Sequence, residues 1–414
     1  MIKTVLVAGA GIVGMSTAIW LQRYGYRVTL VDQAGPASGT SYGNAGVLAA
    51  GSVIPVTTPG LLTKAPGMLL RSSQPLFMRP SYLPKLVPFL SKYLAHANRA
   101  HVERYAAAMS HLLYDTVEQH RDLAAGTAAA QYINDEDYLF GYDSRAAYEK
   151  DQFAWDIRRK NGHEFEVLEG SDLDAVDSFY RRRFPVVVAN KNHGKINDPG
   201  AYIRALCKVF QSEGGLLHIG KIQDLIKTNG RITGLLTDKA TMSADHVVFT
   251  LGPWSGEIAK KLGLRIPFES ERGYHIELVN PSHMPTAPMM VASGKFVVTP
   301  MIGRIRLAGV VEFGGLSAGA RKAPLNLLKK NALSLFPDVS FDRIDEWLGH
   351  RPTTANSLPL IGALRAFENV FVGFGHQHVG LTGGAKTGRM IAQMIDGQTP
   401  NMDLSEFDPN VYAH

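Results

Sequence analysis

Thr4-Val5-Leu6-Val7-Ala8-Gly9-Ala10-Gly11-Ile12-Val13-Gly14 begins the stretch that decides the fold, and Arg27-Val28-Thr29-Leu30-Val31-Asp32 completes it. The first five residues predict a buried strand, Met15 to Tyr24 a helix closed by Gly25, and Arg27 to Val31 a second strand. Between strand and helix, Gly9 makes a tight turn, Gly11 lets the backbone approach a pyrophosphate, and Gly14 permits close helix packing. The helix N-terminus then faces the phosphates. Asp32 ends the second strand where a carboxylate takes a ribose hydroxyl. Together these features predict a dinucleotide-binding unit; the glycine pattern alone does not separate NAD from FAD.

Working outward, 414 residues at 45% hydrophobic composition predict two intertwined domains and an enzyme. The formal charge of +6 is dispersed, with Arg181-Arg182-Arg183 the one tight basic run, which argues against a nucleic-acid partner. Cys207 is the only cysteine, so no internal disulfide or cysteine-based metal cage forms, and no metal site is expected. No secretory leader is apparent, and no apolar run approaches the roughly 18 residues of a membrane span. The expected location is cytoplasmic, with room for peripheral contact at the inner face of the membrane.

Residues 37–60 are rich in Gly, Ser, Thr and Pro and predict a long ordered loop over a ligand. The prolines of Leu61 to Leu94 predict short helical pieces, and a longer helix is expected from His96 to Ala125. Residues 131–196 alternate short strands with charged helices, as a substrate domain would. Strands and a helix return between Asp198 and Leu262, several strands between Arg272 and Ala308 suit a broad antiparallel sheet, and the last hundred residues end in a strand and a helix.

Three further segments carry a family resemblance: Ser38-Gly39-Thr40-Ser41-Tyr42-Gly43-Asn44-Ala45-Gly46, Thr250-Leu251-Gly252-Pro253-Trp254-Ser255, and Gly373-Phe374-Gly375-His376-Gln377-His378-Val379-Gly380-Leu381-Thr382. In order, they resemble FAD-contact segments of the D-amino-acid oxidase and dehydrogenase superfamily, over nearly the whole chain. Asn44-Ala45-Gly46-Val47-Leu48 is most similar to the bacterial D-amino-acid dehydrogenase branch. The resemblance implies an α/β fold: a Rossmann-like FAD-binding domain interleaved with an α+β substrate domain built on an antiparallel sheet. Residues 1–60, 198–265 and 340–414 would form the first, and 61–197 with 266–339 the second and a helical cover.

It further implies that FAD is held by Gly9, Gly11, Ile12, Val13, Gly14, Asp32, Gln33, Ser38, Ser41, Asn44, Ala45, Gly46, Val47, Ile222, Thr250, Gly252, Trp254, Gly375, His376, Val379, Gly380, Leu381 and Thr382. Ser38 and Ser41 would donate to the pyrophosphate. Gly349-His350-Arg351-Pro352-Thr353-Thr354 is similar to the segment that places a carboxylate-binding arginine above the flavin, which makes Arg351 the substrate clamp. Tyr274 would supply a phenol to the same carboxylate, and His376 would contact flavin or shape substrate entry. The implied activity is FAD-dependent oxidative deamination of a small D-amino acid, or a cyclic or N-substituted amino acid, by hydride transfer from the α C–H to flavin N5.

The residue pattern after Gly375-His376 departs from many dehydrogenases of the branch and leaves open whether a primary or secondary amine is used. Two other readings also stay open: an NAD(P)-dependent opine-type dehydrogenase, and a flavin-bearing electron-transfer subunit. Apolar pieces such as Met68-Leu69-Leu70, Leu76-Phe77-Met78 and Leu86 to Leu90 interleave with Lys64, Arg71, Arg79, Lys85 and Lys92. They suit either an active-site cover or contact with an anionic membrane by an enzyme whose acceptor is a quinone or electron-transfer protein.

Overall fold

The structure, a computed structural model, describes residues 2–61, 76–180 and 183–413. Thr4–Ala8 lies near the centre of a six-stranded sheet, between Arg27–Asp32 and His246–Phe249. Leu216–Ile219 extends it on one side, and Val370–Phe374 with the antiparallel Leu360–Ala363 on the other. Alternation explains the unbroken apolar run of the first strand. Val5 and Val7 pack beneath helices Ile12–Arg23, Pro199–Ser212 and Gly380–Ile395. Leu6 and Ala8 enter a second core with Leu225 and Leu235, from a three-stranded sheet laid across the opposite face. A sheet buried on both faces reads as a continuous hydrophobic strand.

The other large element is a nine-stranded, mostly antiparallel sheet. Its strand Phe268–Val279 pairs with Arg343–Thr354 on one side and Arg304–Phe313 on the other. A register shift after Gly273, opposite Val310 at φ +52°, bends this strand. Val47–Leu48, Gly194–Ile196 and Ile133–Asp135 form a small sheet of their own.

Several boundaries differ from expectation. Arg343–Thr354, expected with the cofactor domain, is an edge strand of the nine-stranded sheet. The helix expected over 96–125 is two: Arg99–Leu113, capped by Asn98, and Thr116–Ala124. Between them, Asp115 is drawn off the helical path to pair with Lys386, and the Thr116 hydroxyl donates to the Thr382 carbonyl. Pro88 does not end its segment but sits within one helix, Leu83–Ala95. Leu76–Met78 is a strand of the large sheet, and Leu86 and Phe89 are buried against Phe313. The remaining apolar and basic pieces, Leu62 to Arg71, lie outside the described residues, as do Arg181 and Arg182. Among the described residues, no helix is long and apolar enough to cross a membrane.

Candidate active site

A cleft opens at the C-terminal ends of the parallel strands, as expected for an open α/β sheet. Gly9 takes φ +105°, and a Cβ there would lie 2.5 Å from the Thr250 carbonyl oxygen. A Cβ on Gly14 would come within 1.9 Å of the Gly9 carbonyl oxygen and 2.6 Å of Thr250 Oγ1. The first and third glycines therefore let helix Ile12–Arg23 start directly against the strand. Thr250 fixes the junction, its hydroxyl donating to the Ala8 carbonyl at 2.8 Å.

Asp32 organises the turn beside it. Oδ2 accepts from the Ala10 amide at 2.8 Å, and Oδ1 from the Ala34 and Gly35 amides at 2.9 Å. An ionised carboxylate has about four acceptor positions, so capacity remains for a ribose hydroxyl. Ser41 stands over the helix N-terminus, its Oγ accepting from the Ile12 amide at 3.2 Å. The Ser38 hydroxyl instead donates to the Ala34 carbonyl at 2.9 Å, although the residue lines the cleft.

Of the expected cofactor residues, Val13, Gln33, Asn44, Ile222, Gly252, Trp254, His376, Gly380 and Leu381 also reach the wall. Helix Gly380–Ile395 starts there, so the N-termini of two helices open onto one cleft. Ala45, Gly46, Val47, Gly375, Val379 and Thr382 do not line it but support its wall. Gly46, at φ +79°, leaves no room for a Cβ, which would meet the Ile196 carbonyl oxygen at 2.7 Å. Thr382 donates to the Val47 carbonyl at 3.2 Å, tying loop to helix. Lys221 and Glu257 also line the cleft and were not singled out by the sequence. His376 faces Thr387 Oγ1 at 3.0 Å, and burial pulls its imidazole down to about 4, leaving the ring neutral at physiological pH. Shallow glycine walls, a retained acidic turn and two helix N-termini fit FAD and its pyrophosphate.

The large sheet closes the substrate side. Register pairs Glu271 with Arg351, Gly273 with Gly349 and His275 with Trp347, so the six share one face. The Arg351 guanidinium lies over Gly273, where a Cβ would approach its Cζ to 2.6 Å. Among the described residues, no hydrogen bond or close ion pair ties that guanidinium down. Glu271 is buried, and its Oε1 accepts from the Tyr93 hydroxyl at 2.9 Å. Burial pushes the Glu271 carboxyl up, while Arg351 draws it back. His378 is held neutral, to about 4, by burial and by Arg351. Gln377 takes the left-handed φ of +49°, and among the described residues its buried Oε1 has no hydrogen-bond partner; nor does the buried Tyr105 hydroxyl. His275 and Trp347 stack at 4.9 Å, and Trp347 fills the space a Gly43 side chain would take.

Tyr274 is not with Arg351. Strand alternation turns it to the opposite face, where it pairs with Leu348 in register. Its hydroxyl donates to Glu312 at 2.7 Å, inside a buried cluster where Arg272 meets Glu312 at 2.8 Å. Glu271, Tyr93 and Gln377 were missed. Counting by twos along Phe268–Val279 puts Glu271 on the face opposite Tyr274 but does not mark it as a site residue; nothing local marks Tyr93 either, which arrives from a distant helix. Among the described residues, no group of three His, Cys, Asp or Glu is placed to hold a metal ion.

A Rossmann-like sheet with this cleft, joined to a large antiparallel sheet that carries Arg351, defines a flavoprotein oxidoreductase. Residues 4–394 match the FAD dependent oxidoreductase (DAO) family, and the chain belongs to it. FAD is therefore its cofactor, and the NAD(P)-dependent alternative falls. The chain is 35% identical to a D-amino-acid oxidase of Bradyrhizobium diazoefficiens, with 98% of each covered. It is 30% identical to a D-amino acid dehydrogenase of Rhizobium rhizogenes, covering 99% of this chain and all of that one. In three dimensions it resembles glycine oxidase from Geobacillus kaustophilus, with TM-score 0.73, 18% identity and 98% of each chain covered. The protein is thus a flavoenzyme of the amino-acid oxidase and dehydrogenase family.

Proposed function

We propose that the protein oxidises the carbon–nitrogen bond of a small D-amino acid, with Arg351 gripping the substrate carboxylate. The observation that carries this reading is the Arg351 guanidinium, which lies over Gly273 and, among the described residues, has no hydrogen-bonded partner. A planar fork in a half-dry site binds a carboxylate through two parallel hydrogen bonds. FAD, held by the cleft of Gly9, Gly11, Asp32 and Ser41, would supply the redox chemistry as acceptor of the hydride from the substrate α carbon. The chain's own part is to fix the α carbon between clamp and cofactor wall and to keep water away. Tyr93 and Tyr105, both buried beside Glu271, serve that exclusion. The imino acid released hydrolyses to an oxo acid and ammonia. The curated relatives, named for D-amino acids, support the chirality.

Anaerobic bleaching of the flavin against D-, L- and N-alkylated amino acids tests this reading. D-amino acids are expected to reduce it fastest, and a flavin that no amino acid bleaches would refute the assignment. We further propose a quinone or electron-transfer protein as acceptor; stoichiometric hydrogen peroxide at full turnover in air would count against that.

A further inference from the structure

The Glu271–Arg351 pair is an unusual arrangement for a carboxylate clamp. Clamp and resident carboxylate are direct cross-strand neighbours on one face, Arg351 half-buried and Glu271 buried against Tyr93 of helix Leu83–Ala95. An incoming carboxylate must then share one guanidinium with a carboxylate already present. Two like charges around one cation in a poorly solvated site are not both kept ionised.

The titratable groups around Glu271 narrow the outcome. Tyr93 donates to Oε1 from one helix, and Tyr105 approaches from the next, its phenol held protonated by burial and then by the Glu271 charge. Arg351 faces it from the edge strand, and His378 stands near Arg351 and is held neutral. Glu269, two residues back, is engaged by Tyr82 at 3.0 Å. Burial pushes both carboxyls up, and Glu271 is the one that register sets opposite Arg351, so it is the group placed to gain a proton when a second anion arrives there.

Resting on the reading of Arg351 as carboxylate clamp, we propose that Glu271 is its built-in counter-ion: it positions the guanidinium in the free site and binds one proton when a carboxylate ligand takes its place. Glu271 is thus a positioning residue that couples ligand binding to proton uptake. Ligand affinity falls as pH rises, by up to tenfold per pH unit where one proton is taken up, because the ligand then competes with an ionised Glu271. A zwitterionic amino acid brings its own ammonium and shows a weaker dependence than a simple carboxylate.

The test uses benzoate, a carboxylate without an ammonium, titrated into the FAD-loaded enzyme between pH 6 and 9. Binding is read from the flavin spectrum and by calorimetry in buffers of differing ionisation enthalpy. Wild type is expected to take up close to one proton and to lose affinity with rising pH. Glu271→Gln is expected to take up none, to lose the slope, and to bind more tightly than wild type at pH 8, a gain that a merely structural role would not produce. Tyr93→Phe removes the donor that favours ionised Glu271 and moves the decline to higher pH. Absence of proton uptake by wild type, an unchanged slope in Glu271→Gln, or failure of benzoate to bind at any pH would each overturn the proposal. The substrate reading fails separately: benzoate can bind with proton uptake to an enzyme that no amino acid bleaches.

Discussion

Single side chains give the sharpest expectations. Removing one partner of a desolvated, charge-assisted pair costs about 2–5 kcal/mol. At about 1.4 kcal/mol per tenfold, Arg351→Ala is expected to weaken substrate use by roughly thirtyfold to several thousandfold while sparing bound FAD. Arg351→Lys keeps the charge but not the fork and recovers only part of the loss. Flavin reduction rate against substrate concentration, with bound flavin checked by absorbance, measures both; unchanged concentration dependence in Arg351→Ala would move the clamp elsewhere. Two glycines make a second contrast. Gly14→Ala places a methyl 1.9 Å from a backbone oxygen and is expected to abolish FAD retention. Gly252→Ala meets nothing within 4 Å and bears only the strain of φ +54°, about 1–2 kcal/mol, so it should still purify yellow. A colourless Gly252→Ala beside a yellow Gly14→Ala would reverse this account of the cradle.

At the scale of elements, the cofactor cleft depends on how closely helix Gly380–Ile395 lies on helix Ile12–Arg23. Gly384 faces Ile12, Gly388 faces Ser16, and the Ser16 hydroxyl donates to the Ala385 carbonyl at 2.7 Å. A Cβ at Gly388 would approach Ser16 Cβ and the Thr17 amide to 2.5 Å. Gly388→Val is therefore expected to lower the melting temperature and weaken FAD, since both helices begin at the cleft; a variant with wild-type melting and flavin content would show that the contact yields. This element was legible from sequence as a strand, turn, helix and strand because glycine placement and apolar period agreed. The split at Tyr114–Asp115 was not, because the bonds that bend the chain come from Lys386 and Thr382, some 270 residues away. Tyr274 was misplaced for a related reason: the resemblance put it at the start of the substrate-domain sheet, while strand alternation decided its face. Glu271 went unread because a lone acid in a strand gains meaning only from the register that sets it opposite Arg351.

Across the whole molecule, buried histidines set an acid limit. His101, His120, His163, His193, His350, His376 and His378 are each pulled from 6.5 to about 4, with burial the leading cause. Unfolded, each binds a proton as pH falls through about 6.5; folded, each resists until about 4. Between those values the unfolded chain holds more protons, so stability rises with pH and is lost as pH falls. The contribution is complete above about 6.5 and gone below about 4. His120 isolates one such term: it is fully buried, faces the Tyr202 hydroxyl and the Leu381 carbonyl at 2.9 Å each, and its neutral ring satisfies both. Thermal unfolding of the FAD-loaded protein should therefore show a plateau above pH 7 and a steep decline between pH 6.5 and 5, a window above most carboxylate titration. His120→Gln, destabilised overall, should decline less steeply by one proton, about 1.4 kcal/mol per pH unit. A melting temperature constant from pH 7 to 5 would mean that these rings already carry charge inside the fold, and that the neutral rings assigned to His376 at the cleft and His378 near Arg351 are wrong.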